Sequence, residues 1–234
     1  MSRHPPTATL VALLATPPRG GPGGPTYPQE WFTDDLEAGN VWTVFDADGT
    51  PTCAAAAAAA HQGTLGLQFA TRSDGAAEND IAEIHNYFQA PTQDYLTATC
   101  WARLPDPDHN LRTHFTLATI SAGHAHRANV IYPPALHKWY YSNAAGDAVE
   151  IPGAAYTWPA NTWIPLTWGL RVSTLHYTSF TCPAGTFDLS AQALYDAGAT
   201  DLTLPHLRLR LWASATPPAA MDADDFRVTH SPSP

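Results

Sequence analysis

The sequence predicts an all-β protein, a single antiparallel sandwich of two sheets. A chain of 234 residues, 44% of them hydrophobic, can bury the core of one such domain. Short runs rich in β-branched and aromatic residues alternate with Asp-Gly, Asn-Ala-Ala-Gly and Pro-Ala-Gly turns. Acidic, strand-like segments at residues 32–40 and 221–228 bracket this region, so we expect the two ends of the domain to pair as neighbouring strands.

Three segments follow one another along the chain. Residues 1–30 are rich in Pro and Gly and cannot fold alone, so they form an N-terminal arm that is either disordered or packed on a neighbouring subunit. Residues 31–230 form the sandwich, and residues 231–234 are a tail. Helical periodicity is weak: residues 53–61 are alanine-rich but short, and a turn or two of helix is expected at residues 189–197. The expected strands are residues 41–45, 64–71, 80–88, 95–104, 114–121, 128–132, 138–142, 148–151, 163–173, 176–181, 207–214 and 224–230.

The clearest alternation lies near the C-terminus. Leu207, Leu209 and Leu211 are separated by Arg208 and Arg210. Successive side chains of a strand point to opposite faces, so the leucines are expected to face the core and both arginines the solvent. This segment predicts a sheet with one wet face.

Charge and cysteine content narrow the possible functions. The chain has 21 acidic and 11 basic residues, a formal charge of −10 with a single lysine, so no surface suited to nucleic acid is expected. The apolar run at residues 10–15 is too short to span a bilayer and lacks the layout of a signal peptide. Cys53, Cys100 and Cys182 fit no metal-ligand spacing. They form one disulfide and a free thiol, or three thiols, with Cys100 expected in the core.

Five short motifs occur in an order that resembles the concanavalin A-like lectin and glucanase jelly rolls, in particular their lectin-like, LamG-like modules. They are the acidic opening at residues 32–42, His-x-Gly-x-x-Gly-Leu at 61–67, the strand at 95–104, Asn-Thr-Trp at 161–163, and Asp-Asp-Phe-x-Val at 224–228. The resemblance covers about residues 31–230 and implies a two-sheet jelly roll. Lectins, hydrolases, lyases and structural modules all use this fold, so it does not fix the function.

Aromatic residues interleaved with polar ones favour a carbohydrate-binding face. Sugars present apolar C–H faces and hydroxyl edges, which aromatic rings and hydrogen-bonding side chains recognise together. The predicted ligand-binding residues are Trp139, Tyr141, Trp158, Arg171 and Arg210. Strand alternation also requires that at least one of the three aromatic residues at 139–141 lies on a surface.

A catalytic alternative rests on the Glu-x-Asp-x-x-Glu run at residues 78–83. Alternation with a bulge would direct its three carboxylates to one face, as hydrolysis with retention requires. The run resembles the signature of laminarinase-type and carrageenase-type glycoside hydrolases. That resemblance implies Glu78 as nucleophile, Asp80 as the residue that tunes its pKa, and Glu83 as acid/base. The alternative is a solvated strand face.

The acidic ends of the domain suggest a structural calcium ion. Glu37 and Asp225 are the predicted ligands, with Asp35, Asp222 and Asp224 as auxiliaries. Oxygen-only ligands suit calcium, and clustered carboxylates repel one another unless they are neutralised. Solvated turn acids are the alternative.

Together these features predict a non-catalytic surface or binding protein, directed at a glycan or polysaccharide and acting in carbohydrate binding or cell adhesion. We expect it at an extracellular surface or in a virion. The first alternative is a structural protein of an assembly, such as a phage capsid decoration or tail protein or a surface filament, whose arm makes the subunit contacts. The second alternative is the glycoside hydrolase.

Overall fold

A computed structural model of the chain describes residues 29–37, 42–47, 52–71, 81–200, 202–213 and 218–234. These residues contain no helix long and apolar enough to cross a membrane. They include single-turn 3-10 helices at Ala57–Ala59, Pro107–His109 and Pro134–Leu136. The strands are β1 Gln29–Asp34, β2 Thr43–Ala47, β3 Thr52–Ala56, β4 Gly66–Ala70, β5 Ile81–Tyr87, β6 Tyr95–Arg103, β7 Asn110–Ser121, β8 His124–Tyr132, β9 Lys138–Ser142, β10 Ala148–Ala155, β11 Ile164–Arg171, β12 His176–Cys182, β13 Gly185–Asp188, β14 Tyr195–Ala199, β15 His206–Ala213 and β16 Ala220–Ser231.

The strands form two antiparallel sheets. The first has the order β13-β12-β11-β6-β16-β4-β3, and β1 pairs with β16 beyond the end of β4. The second has the order β10-β9-β8-β7-β15-β5-β2, and β14 pairs with β8. Chain neighbours often lie in different sheets, as in a jelly roll, so the residues that face one another across a sheet are far apart in sequence.

The two ends of the domain pair as predicted. β1 runs antiparallel to β16, with Phe32 opposite Val228 and Asp34 opposite Phe226. β16 also pairs with the central strand β6, so the last strand of the chain lies inside the first sheet. The terminal segments therefore close the sandwich.

Apolar side chains from the inner faces of both sheets fill the core. In β6, buried and half-buried residues alternate strictly along the strand. Leu207, Leu209 and Leu211 of β15 lie in the same core as Trp139 and Trp168. The three leucines of β15 therefore face the core, as predicted.

One expectation about local structure is wrong: residues 189–197 contribute to strand β14 and not to a helix. The short alanine-rich stretch at residues 53–61 forms strand β3 and a single 3-10 turn. Stretches of nine residues are too short for a stable isolated helix, and here the neighbouring strands β4 and β8 supply backbone hydrogen-bond partners. Residues 1–28 lie outside the described residues, so the arm stays a prediction.

No disulfide joins Cys53, Cys100 and Cys182, all of which lie in the described part of the chain. Cys100 is buried in the core, as expected, and burial raises the pKa of its thiol. Of the two alternatives left open by the sequence, the structure has the one without a disulfide.

Candidate functional site

Three of the five predicted ligand-binding side chains lie in the core. Trp139 and Trp158 are 0% and 2% exposed and pack against each other and against Tyr132. Tyr141 is 7% exposed, and its hydroxyl donates to Gln192. These rings fill the space between the sheets, so they present no surface to a ligand in this conformation, which corrects the prediction for them.

Arg171 lies elsewhere, at a shallow depression on the first sheet. Its guanidinium donates to Asp94 at 2.7 Å and lies over the ring of Tyr95. The depression also touches His176 and Thr178. Because Asp94 pairs with Arg171, the guanidinium that was predicted to bind a ligand is already balanced within the protein.

Arg210 belongs to a different surface, the side of the second sheet that faces away from the core. We call it the arginine face and define it by the outward side chains of β5, β7, β8 and β15. These are Glu83, His85, Tyr87, Arg112, His114, Thr116, Arg127, Asn129, His206, Arg208, Arg210 and Trp212.

The register places one arginine in each of four successive rows of this face. Arg127 lies level with His206, the first outward residue of β15, through β7. Arg208 and Arg210 occupy the next two rows, and Arg112 lies in the fourth. Six residues of strand separate the first row from the last, a span of about 20 Å. The arginines therefore form a stripe along the strand direction.

A buried carboxylate, Glu83, holds the middle of the stripe together. It pairs with Arg208 at 3.3 Å and with Arg210, and it accepts from His85 Nε2 at 2.7 Å. Burial alone would raise the pKa of Glu83, but the His85 hydrogen bond and the two guanidiniums lower it to about 2. Burial and the charge of Arg127 lower the pKa of Arg208 to about 9, which leaves it charged at neutral pH. The charges of this cluster are thus fixed over the physiological range.

A hydrogen-bonded relay leads from Glu83 to the surface. An ionised carboxylate only accepts, so His85 carries its proton on Nε2 and its Nδ1 accepts from the Tyr87 hydroxyl at 3.0 Å. Burial lowers the pKa of His85 and raises that of Tyr87. At neutral pH, therefore, the imidazole is neutral and the half-buried phenol keeps its proton.

His206 stacks on this relay. Its ring lies 4.8 Å from that of His85, with the planes 8° apart, and 5.4 Å from that of Tyr87. Burial, followed by the neighbouring His85 and Arg208, lowers the pKa of His206 to about 3. The side chain is 0% exposed and neutral at physiological pH.

Trp212 forms the other end of the face. The guanidinium of Arg112 lies 4.2 Å from the centre of its ring and that of Arg210 lies 5.0 Å from it. The ring of His114 is 4.3 Å away, and burial holds the pKa of His114 well below its usual value. Arg112 is exposed while Trp212 is buried, so the indole supports the guanidinium rather than facing solvent itself.

Several buried nitrogens of the arginine face have no hydrogen-bond partner within the described part of the chain. They are His114 Nε2, Arg127 Nε and both ring nitrogens of His206. The backbone of Leu204 raises the pKa of His206 slightly, but burial has the larger effect and lowers it. A buried polar atom without a partner costs about 1–3 kcal/mol. Their concentration here marks a surface that is short of hydrogen-bond partners.

The prediction that both arginines of β15 face the solvent is therefore right for the direction of the side chains and wrong for the exposure of Arg208. Arg208 and Arg210 do share the outward side, but Arg208 is 3% exposed and belongs to a buried network. The long aliphatic parts of the arginine side chains and the neighbouring aromatic rings shield one another from solvent. The alternation of polar and apolar residues along a strand does not reveal this shielding.

The hydrolase hypothesis meets a physical obstacle at Glu83. A carboxyl group with a pKa of about 2 carries no proton at neutral pH, so Glu83 as described cannot act as the general acid. Glu78 and Asp80 lie outside the described residues.

The predicted calcium ligands accept hydrogen bonds from the protein. Glu37 accepts from the backbone of Leu65 at 2.9 Å and from Thr64, and Gly63 is required because a side chain there would collide with the Glu37 carboxylate. Asp225 pairs with His61 at 3.0 Å.

The auxiliary acids are engaged in the same way. Asp224 accepts from the backbone of His61 and Gln62, Asp222 pairs with Arg103, and Asp35 accepts from the backbone of Glu37. Within the described ranges no three His, Cys, Asp or Glu side chains are placed to hold a metal ion. Hydrogen bonds and ion pairs within the protein stabilise these carboxylates in the geometry described. A calcium ion bound to them stays a prediction.

Most residues of the arginine face were missed at the level of sequence. The signal was present as polar residues at alternate positions: Glu83, His85 and Tyr87 in one strand, and His206, Arg208 and Arg210 in another. Ordinary solvated faces show the same alternation, so it did not distinguish a buried network.

Comparisons with known proteins match the fold. No family model and no curated protein matches the sequence. An endo-beta-1,4-glucuronan lyase from the fungus Trichoderma reesei superposes with a TM-score of 0.59 at 12% identity, over 87% of this chain and 96% of that one. Cip1, a cellulose induced protein, gives a TM-score of 0.56 at 13% identity, over 86% and 97%.

A third structure, reported with endo-acting O-glycanases by which human gut microbiota initiate mucin breakdown, gives a TM-score of 0.54 at 10% identity, over 87% and 100% of the two chains. Likeness at these identities establishes the fold alone. The chain thus has the two-sheet antiparallel jelly-roll sandwich predicted from its sequence.

Proposed function

We propose that the protein binds carbohydrate and that the arginine face is its binding site. The observation that carries the proposal is the set of accessible polar groups on that face: Arg112 is exposed, and Arg127, Arg210 and Tyr87 are half-buried. Sugar hydroxyls both donate and accept, so a glycan could bond to the guanidinium donors and to the Tyr87 phenol together. The fold supports this function, because two of the matched structures are reported with enzymes that act on glycans.

The half-buried and exposed groups would make the first contacts. Arg112, Arg210 and Tyr87 are accessible, whereas Glu83 and Arg208 are fixed beneath them by ion pairs. A rigid floor under a polar rim reduces the entropy lost on binding. This division favours a preformed site rather than one that folds around its ligand.

A glycan array and affinity electrophoresis with the full chain test this proposal. Arg112→Gln should weaken retardation by the bound polysaccharide, because Arg112 is exposed and its loss does not disturb the buried network. The matched control is Arg227→Gln, an exposed arginine on the first sheet. Failure of the parent protein to bind any glycan, or equal weakening by both variants, would contradict the proposal.

A second candidate function is acid/base cleavage of the bound glycan. The specific observation is the chain of two hydrogen bonds that joins Glu83, His85 and Tyr87, because a carboxylate and an imidazole bonded in series can position a proton-transferring group. The pKa directions favour binding over cleavage, since Tyr87 holds its proton tightly and His85 is a weakened base.

The two functions separate in one variant. Tyr87→Phe removes the phenol oxygen and little volume. Under the binding proposal neither the parent nor this variant releases new reducing ends from a bound polysaccharide. Release by the parent and not by Tyr87→Phe would establish cleavage instead.

An assembly role for residues 1–30 remains a prediction, since residues 1–28 lie outside the described part of the chain. Extracellular or virion placement also remains a prediction.

A further inference from the structure

The arginine face concentrates positive charge in an acidic protein. The whole chain has a formal charge of −10, yet four of its ten arginines lie on the outward side of three adjacent strands, β8, β7 and β15. Glu83 of β5 is the one carboxylate among the described outward side chains of β5, β7, β8 and β15, and β2 places Asp46 at the register position beside it. Among the described side chains of these four strands, the cations therefore outnumber the anions.

The charges at the two ends of the stripe have no counter-ion in the described part of the chain. Arg208 and Arg210 share Glu83, but neither Arg112 nor Arg127 has a carboxylate within ion-pair distance. Burial and the charge of Arg210 lower the pKa of Arg112, and the pKa of Arg127 is also lowered, by burial first. Holding such cations together is unfavourable unless a ligand neutralises them.

From this charge pattern we infer that the ligand is an acidic polysaccharide whose sugar units carry carboxylates. The inference rests on the proposed function and assigns its substrate class. Carboxylates accept two parallel hydrogen bonds from a guanidinium, and the half-buried Tyr87 hydroxyl on the same face suits a sugar hydroxyl.

The length of the stripe indicates a chain rather than a single acidic sugar. One arginine per row over about 20 Å presents a repeated positive charge along one direction. A polyuronate repeats its negative charge at each unit and lies along such a stripe. Nucleic acid also repeats its charge, so single-stranded DNA is measured beside the polyuronates as the competing polyanion.

The test compares one polymer with and without its carboxylates. Binding of the full-length protein is measured by titration calorimetry against polyglucuronate, polygalacturonate and alginate, and against carboxyl-reduced forms of the same polymers. At least one polyuronate should bind, and its reduced form should bind about tenfold more weakly, because charged hydrogen bonds are lost. The affinity for the polyuronate should also fall with added salt.

Matched variants locate the effect. Arg112→Gln and Arg127→Gln should each reduce polyuronate affinity by about tenfold, with little change for the reduced polymer, whereas Arg227→Gln should change neither. Thermal unfolding of each variant checks that it is folded. Arg112 is exposed, so its variant keeps the test valid if Arg127→Gln is not folded.

The outcomes separate the two levels of the proposal. Equal binding of a polyuronate and its reduced form would overturn the carboxylate inference and leave carbohydrate binding standing. Preference for a sulfated galactan or for single-stranded DNA would also overturn it. Binding to no glycan of either kind would overturn the proposed function itself.

Discussion

The outer faces of the two sheets handle charge in opposite ways. On the first sheet each arginine has its own carboxylate: Arg227 pairs with Glu30, and Arg171 with Asp94. On the second sheet four arginines lie on the face of Glu83, the one carboxylate among the described outward side chains of β5, β7, β8 and β15, and part of the network is buried. Paired surface charges contribute little to stability, whereas buried and unequally paired charges reduce it. A protein that keeps such an arrangement is expected to use it.

The two sheets also differ in how many buried polar atoms of their outer faces lack partners in the described part of the chain. On the first sheet Thr181 bonds Thr186 at 2.9 Å, although Asp222 Oδ1 is buried without a partner. On the second sheet four nitrogens, of His114, Arg127 and His206, lack partners. Burial of a polar region therefore does not show that its hydrogen bonds are complete.

Removal of the shared carboxylate should have the largest effect. Glu83→Gln removes the carboxylate that pairs with the buried guanidinium of Arg208 and with Arg210, so we expect the free energy of unfolding to fall by about 3–5 kcal/mol. Urea denaturation at pH 7 measures it. The matched variant on the first sheet is Glu30→Gln, and an equal loss in both would remove the distinction between the faces.

The second largest effect is expected from acid, which should lower the free energy of unfolding through the buried histidine of the second sheet, His206. The folded state keeps His206 neutral down to a pKa of about 3, while the unfolded chain takes up a proton near pH 6.5. The unfolded state thus binds more protons below that pH, and stability falls as the pH falls. From pH 7 to pH 5, His206 alone should cost about 2 kcal/mol. Glu83 adds its own loss only at lower pH, because its folded-state pKa is depressed to about 2.

Substitution of the imidazole isolates this dependence. Urea denaturation at pH 5, 6 and 7 should show a flatter pH profile for His206→Gln than for the parent. His137→Asn is the control, at an exposed position whose left-handed backbone, with a φ of 51°, accepts Asn. Parallel profiles for parent and His206→Gln would show that His206 is not the group responsible.

An arginine at the end of the stripe should affect stability and binding in opposite directions. Arg127→Gln removes a half-buried cation whose charge is disfavoured by burial and by Arg210, although Glu83 partly compensates. We expect the free energy of unfolding to rise by about 0.5–1 kcal/mol while affinity for the glycan falls. Thermal unfolding and titration of one protein sample measure both. A loss of both stability and affinity would indicate a structural role instead.

The smallest effect is expected on the first sheet. The side chains of Arg227 and Glu30 are 54% and 56% exposed, so solvent screens their attraction. A double-mutant cycle with Arg227→Gln and Glu30→Gln should give a coupling energy below about 0.5 kcal/mol. A coupling of several kcal/mol would mean that the two faces treat charge alike.

Much of the fold could be predicted from the sequence because strand alternation is a local property. The leucines of β15 and the alternation of β6 follow the two-residue period, and the acidic terminal segments pair as expected. The short strand β14 and the strand β3 could not be predicted, since edge strands depend on partners that are distant in sequence.

The candidate site was predicted less well than the fold. Arg210 was found as a ligand-binding candidate, but Trp139 and Trp158 proved to be core residues, because large aromatics fill the space between sheets more often than they face solvent. No sequence motif contains Arg112 or Arg127, so neither could be predicted as a site residue. Only the register of β7 and β8 shows that they align with the outward residues of β15.

The sequence by itself determined the strand periodicity, the pairing of the acidic ends and the inward side of β15, because each follows from residue order within one or two segments. The stripe of arginines, the burial of Arg208 and the partnerless nitrogens of His206 were decided only by the tertiary structure. These depend on how β5, β7, β8 and β15 align and on the low solvent access that their side chains create together. Neither register nor desolvation is a property of any single strand.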